Sequence, residues 1–134
     1  MPINISAHAL SKATAISISD RARVIVVTGK VSSVTKQLEL LSSAKQDMQD
    51  RHIVVLRHNA NRTLTIEPAL SNTQFFVGDV ARFDEYARKT DFGVYLIGKD
   101  GGLKKTWKNP VLFDDIAIII DQMPMRKNEA NSER

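Results

Sequence analysis

FGVYLIGKDGGLKKTWKNPVLFDDIAIIIDQMPMR, running from Phe92 to Arg126, carries the longest strand-like run of the chain, its clearest turn and its only dense group of lysines. Val94, Tyr95, Leu96 and Ile97 are apolar in succession, which predicts a strand covered on both faces and therefore central in its sheet. Asp100-Gly101 within GKDGG predicts a tight hairpin, because a primed turn needs positive φ at its central positions. The partner strand, Leu103 to Trp107, alternates apolar residues with lysine, as an edge strand does. After it, Ile116 and Ile118 to Ile120 favour a strand by propensity, since β-branched side chains lose rotamer freedom in a helix. Against that, Asn109 is placed to cap, Pro110 suits a first helical position, and Asp114 and Asp115 oppose the positive end of the dipole. Leu112, Ile116, Ile119, Ile120 and Met123 fall on one helical face, and Pro124 ends the run. A helix is the consistent reading.

The rest of the chain supplies the partners. Arg23 to Gly29 reads RVIVVTG, a β-branched run without alternation that predicts a second doubly covered strand. Between residues 32 and 50, Val34, Leu38, Leu41 and Met48 form the apolar stripe of one helix of about five turns, with Ser32 or Ser33 as its cap. Ile53 to Leu56 then gives a third strand, so strand, helix and strand form a βαβ unit. Thr63 to Ile66 alternates like a short exposed strand, and Asp79 is placed to cap a helix carrying Val80, Phe83, Tyr86 and Ala87 on one side. Residues 1–20 read either as an edge strand, on Ile16 and Ile18, or as an arm; the domain proper is expected over 21–130, with 131–134 a disordered tail.

This order predicts a thioredoxin-like, peroxiredoxin-like α/β fold: three layers, α/β/α, around a central mixed sheet of about four to five strands. At 134 residues, 43% hydrophobic and 25% charged, the chain has the length of one domain and the composition of a globular one. It contains no cysteine, which excludes thiol redox catalysis, disulfides and thiolate metal sites in this chain. His8, His52 and His58 are too scattered to suggest a metal site, and no cofactor motif is present. The 19 Lys and Arg against 15 Asp and Glu give +4, a mild excess that does not by itself call for nucleic acid. No run reaches the ~18 apolar residues of a membrane span, and the start lacks the charged and apolar regions of a signal peptide. As written, the chain is expected in the cytoplasm.

Leu96 to Lys104 (LIGKDGGLK) and Ile120 to Arg126 (IDQMPMR) with Glu129, supported by Arg23 to Val27, Gln37 and Asp50 to Val55, resemble the peroxiredoxin-like domain of unknown function called P-DUDES. Such domains occur in bacterial proteins and in animal secreted proteins of the coiled-coil-domain-containing and sushi-repeat-containing types. The resemblance covers about residues 21 to 130 and implies a thioredoxin-like fold without an established activity; it also implies that many relatives are exported, so a periplasmic or secreted location stays open. Thioredoxin-like enzymes keep their reactive cysteine where the first strand meets the first helix. Here that corner reads Thr28-Gly-Lys-Val-Ser-Ser33, and serine cannot supply a thiolate. The proline such enzymes hold before the third strand is replaced by Thr90-Asp91.

No catalytic constellation is legible, and pairing Ser32 or Ser33 with His52 or His58 has no support in spacing. The candidate binding residues are Lys99, Lys104, Lys105 and Lys108 with Trp107 and Arg126, which read either as an anion surface with an aromatic beside it or as the lysines of a protected edge. Gly98, Asp100, Gly101 and Gly102 read as turn formers, since the spacing is not that of a phosphate loop. Asp121 opposes the helix dipole and is expected to pair with Arg126 or Lys99, while Met123, Pro124 and Met125 close the helix or offer a soft contact surface. The function expected is a non-redox protein-interaction or binding module. The alternative is a protein, enzymatic or not, that binds an anionic small molecule such as a phosphate or nucleotide through the Lys99 to Lys108 hairpin. A protein partner is open, as is a monomer or a homodimer; nucleic acid is disfavoured and no membrane contact is indicated.

Overall fold

A computed structural model of the chain describes residues 22–75 and 80–132. Five strands, β1 (Arg23–Thr28), β2 (Ile53–His58), β3 (Leu64–Ile66), β4 (Gly93–Ile97) and β5 (Leu103–Trp107), form one mixed sheet in the order β3-β2-β1-β4-β5. β1 and β2 are parallel, and the other neighbours are antiparallel. The fold is mixed α/β and consistent with the thioredoxin-like arrangement. The N-terminal residues through 21, with Ile16 and Ile18, and Asp79 lie outside the described residues.

Alternation along the inner strands builds two cores. Ile25 and Val27, Ile53 and Val55, and Val94 and Leu96 face one side, where α1 (Val31–Ser42), α2 (Lys45–Asp50) and α4 (Phe113–Asp121) cover them. Val24 and Val26, Val54 and Leu56, and Ile97 face the other, under Phe83 and Tyr86. Those two come from a 3-10 turn, Val80–Phe83, and the short α3, Asp84–Ala87. Both faces are thus apolar, which is why these strands lack a polar side.

Several local readings are corrected. Residues 31–50 form two helices rather than one, broken at Ser43 and Ala44, and Lys30 occupies the cap position without a side-chain bond in place of Ser32 or Ser33. The apolar stripe is unaffected: Val34, Leu38, Leu41 and Met48 are all buried. α4 starts at Phe113 with an exposed, extended Leu112 before it, so Asn109 and Pro110 lie upstream of the helix. Buried Gln37 decides this start, donating to the Val111 carbonyl at 2.8 Å and accepting from its amide at 2.9 Å. Pro124 ends nothing permanently: it opens α5 (Pro124–Ser132), where its missing N–H is no loss, and this helix runs two residues past the expected boundary at 130. In the hairpin only Gly101 takes positive φ, +85°. The Gly101 amide donates to Gly98 and the Gly98 amide to Gly102, which fits a three-residue loop with a bulge rather than a two-residue primed turn. The register slips between Leu96 and Ile97, leaving Lys104 unpaired, so strict alternation along β5 fails there.

Candidate binding cleft

One end of the sheet gathers the charged residues. It comprises the start of β1, the loop before β2, the β4–β5 turn and the junction of α4 with α5. Arg23, although 1% exposed, begins β1. Its Nη1 donates to the Arg51 carbonyl at 2.8 Å and to Glu129 Oε1 at 3.1 Å, and its Nη2 to Glu129 Oε2 at 3.2 Å. Its Nε, also buried, has no partner among the described residues. Lys99 Nζ reaches Glu129 Oε2 at 2.6 Å and donates to His52 Nδ1 at 2.8 Å. The His52 ring stacks on Phe75, with centroids 4.6 Å apart. Glu129 thereby collects Arg23 and Lys99, with Arg126 at 3.6 Å. Burial would push its carboxyl up, but the hydrogen bonds from Arg23 and Lys99 outweigh that and hold it below the ordinary value.

Asp121 is half exposed and meets Arg51 through two bonds of 2.9 Å. The Arg51 hydrogen bond holds the Asp121 carboxyl low, and the same bond raises Arg51. The expected partner Arg126 is second, with Nε 3.7 Å away, and its Nη1 instead donates to the Asp50 carbonyl at 3.0 Å. Lys99, the other expected partner, serves Glu129.

The structure divides the candidate lysines between two ends. Lys99 and Lys104 lie at the charged end, where Lys104 pairs with Asp100 at 2.8 Å and Asp100 also accepts from the Gly102 amide at 2.9 Å. The hydrogen bond from Lys104 holds the Asp100 carboxyl low. Lys108 lies beyond the far end of β5, Lys105 is exposed on the edge, and Trp107 is partly buried against the core. Gly98 is buried against the Lys104 side chain. Arg23, Gly98, Lys99 and Lys104 join Met123, Pro124 and Met125 around an open cleft of about 260 Å³, predominantly apolar along its wall. Arg23, Arg51 and His52 are not among the candidate binding residues of the sequence; the signal that marks them is their place in Arg23 to Val27 and Asp50 to Val55, which support the resemblance.

The opposite end is closed. Gly29 sits at φ +122° with its missing Cβ 2.9 Å from the Phe92 Cα. The Gly29 amide donates to His58 Nδ1 at 3.0 Å, so the ring proton is on Nε2 and is donated to the Ala87 carbonyl at 2.9 Å. The Thr28 hydroxyl donates to the Asp91 carbonyl at 2.9 Å. This is the corner where thioredoxin-like enzymes act, and its polar atoms are spoken for. Nearby, Arg88, Lys89, Phe92, Tyr95, Thr106 and Lys108 line a shallow groove of about 590 Å³. Among the described residues no three His, Asp or Glu side chains gather as a cation site requires.

Residues 17–129 match the family described as Domain of unknown function (DUF4174). The chain belongs to this family. No curated protein and no solved structure matches it. Lys99 of the β4–β5 turn, Arg126 and Glu129 meet at the charged end of this DUF4174 domain. Among its described residues no helix is long and apolar enough to cross a membrane.

Proposed function

We propose that this DUF4174 domain is a non-redox binding module, related to the P-DUDES domains, whose binding face is the charged end of the sheet. The observation that carries the proposal is a nearly inaccessible arginine, Arg23, at the side of a cleft walled by Met123 and Met125. Buried charge placed beside adaptable apolar side chains suits recognition: methionine refits to its occupant, and the guanidinium fixes orientation. The closed Thr28-Gly29 corner and the absence of cysteine support a role other than thiol chemistry. Met125 is 51% exposed, so Met125→Glu alters the cleft without touching the core. Affinity capture from extract, read for proteins and small molecules together, tests the proposal. A species held by the parent and lost with Met125→Glu is expected; identical capture by both overturns it.

A second reading is favoured by the groove at the far end. Arg88, Lys89 and Lys108 there outnumber Asp91, beside Phe92 and Tyr95, so a phosphate or nucleotide is the fitting class. Ligand at 100 times Kd adds about 2.7 kcal/mol of stability. A thermal-shift panel of nucleotides that leaves the melting temperature flat removes this reading.

A further inference from the structure

We infer that the cleft beside Arg23 is a carboxylate site, taking an acid with a short apolar body. The inference rests on the binding-module reading and names the ligand class. A guanidinium has five N–H groups in a fixed plane. Glu129 takes the end-on pair, one proton each from Nη1 and Nη2, and the Arg51 carbonyl takes the other Nη1 proton. Covalent geometry leaves the side-on pair, Nε–H with the second proton of Nη2, and Nε has no partner among the described residues. Two parallel N–H donors on one edge are the counterpart of a planar carboxylate. Buried donors left unpaired are rare in native proteins, so this edge calls for an acceptor.

Three further observations fit that acceptor. Two cations of the cleft wall, Arg23 and Lys99, share one carboxylate, that of Glu129. The positive end of α5 begins at the cleft wall with Pro124 and Met125. The wall itself is largely apolar, which favours an acid with a hydrocarbon body over free phosphate. At about 260 Å³ the cleft falls just short of the ~300–1,000 Å³ of drug-sized sites, which suits a short chain or one ring. Met125 and Lys104, both unbranched and adaptable side chains, line the cleft with Arg23.

The carboxylate has two sources, a free organic acid or the C-terminus of a peptide ending in an apolar residue. The test is a titration of the full chain with methyl-labelled methionine, followed by NMR. The probes are hexanoate, hexanamide, inorganic phosphate, and a short Leu-terminated peptide with a free or an amidated end. Saturable shifts of the Met123 and Met125 methyls and of the Arg23 Nε–H are expected with hexanoate or the free peptide, with both amides at least about tenfold weaker. Whichever carboxylate binds tighter identifies the source. Silence from both carboxylates up to about 10 mM, or equal binding of the amides or of phosphate, overturns the inference and leaves the fork to water. Met125→Glu, which sets a rival carboxylate at the mouth, is expected to weaken binding at least about tenfold, and unchanged affinity counts against the site. Loss of partner capture in that variant with no carboxylate response removes this inference alone and leaves the binding module standing.

Discussion

At one end of the central strand, Thr28 and Gly29 are closed off by neutral hydrogen bonds, whereas at the other Arg23 is tied down by charge. The neutral end spends both nitrogens of His58 on backbone groups and packs Gly29 against Phe92, so the polar atoms of that corner are occupied. Among the described residues, the charged end keeps a buried donor without a partner, the Arg23 Nε–H. Two ends of one strand therefore carry opposite tasks, one holding the fold together and one keeping unused capacity. A fold type known for chemistry at one end can present its function at the other, because function belongs to the site rather than the scaffold.

The comparison is most easily broken at Glu129. Glu129→Ala leaves Arg23 and Lys99 in a nearly dry setting and is expected to cost about 3–5 kcal/mol by urea unfolding. Adding Arg23→Met should restore part of that loss, and a single-variant cost under about 1 kcal/mol would show the end to be held by packing alone. At the neutral end, His58→Leu strands the Gly29 amide and the Ala87 carbonyl. The expected cost is about 1–3 kcal/mol for each, unchanged by salt; a salt-sensitive loss would contradict the assignment.

Acid sharpens the contrast. The folded Glu129 carboxyl titrates below its ordinary value of 4.5, so the unfolded chain binds more protons in that range and stability rises with pH there. The stabilisation is complete above that value and is lost as pH falls below it. Glu129→Gln should make the acid limb of a stability–pH curve shallower; equal slopes in the variant and the parent would refute this. The smallest effect is expected at Asp121, which is 46% exposed. Asp121→Asn should cost about 0–1 kcal/mol, less in high salt. Double-mutant cycles should give stronger coupling to Arg51, bonded at 2.9 Å, than to Arg126 at 3.7 Å, and the reverse order would show that the chain end is locked as first expected.

The strands and the buried stripe of α1 and α2 were legible because apolar periodicity reports burial directly. Helix ends were less so. Asn109-Pro110 carries a start signal, yet Gln37, more than seventy residues earlier in the chain, holds Val111 extended and defers α4 to Phe113. Pro124 looked like a stop, but the same missing N–H and fixed φ suit it to open α5. For the site, the sequence offered the hairpin lysines and the Met-Pro-Met segment, and it placed an ion pair at Asp121. It could not offer the partners.

The sequence by itself determined that this is a cysteine-free α/β domain with doubly covered strands, since composition and periodicity are local properties of the chain. Only the tertiary structure decided that Arg23 opens β1 against Glu129, that Lys99 turns to the same carboxylate, and that Arg51 joins Arg126 at Asp121 and bonds it more closely. The reason is physical. A charged side chain accepts any opposite charge within a few ångströms, and no local pattern encodes which of 19 cations the fold will bring to which of 15 carboxylates.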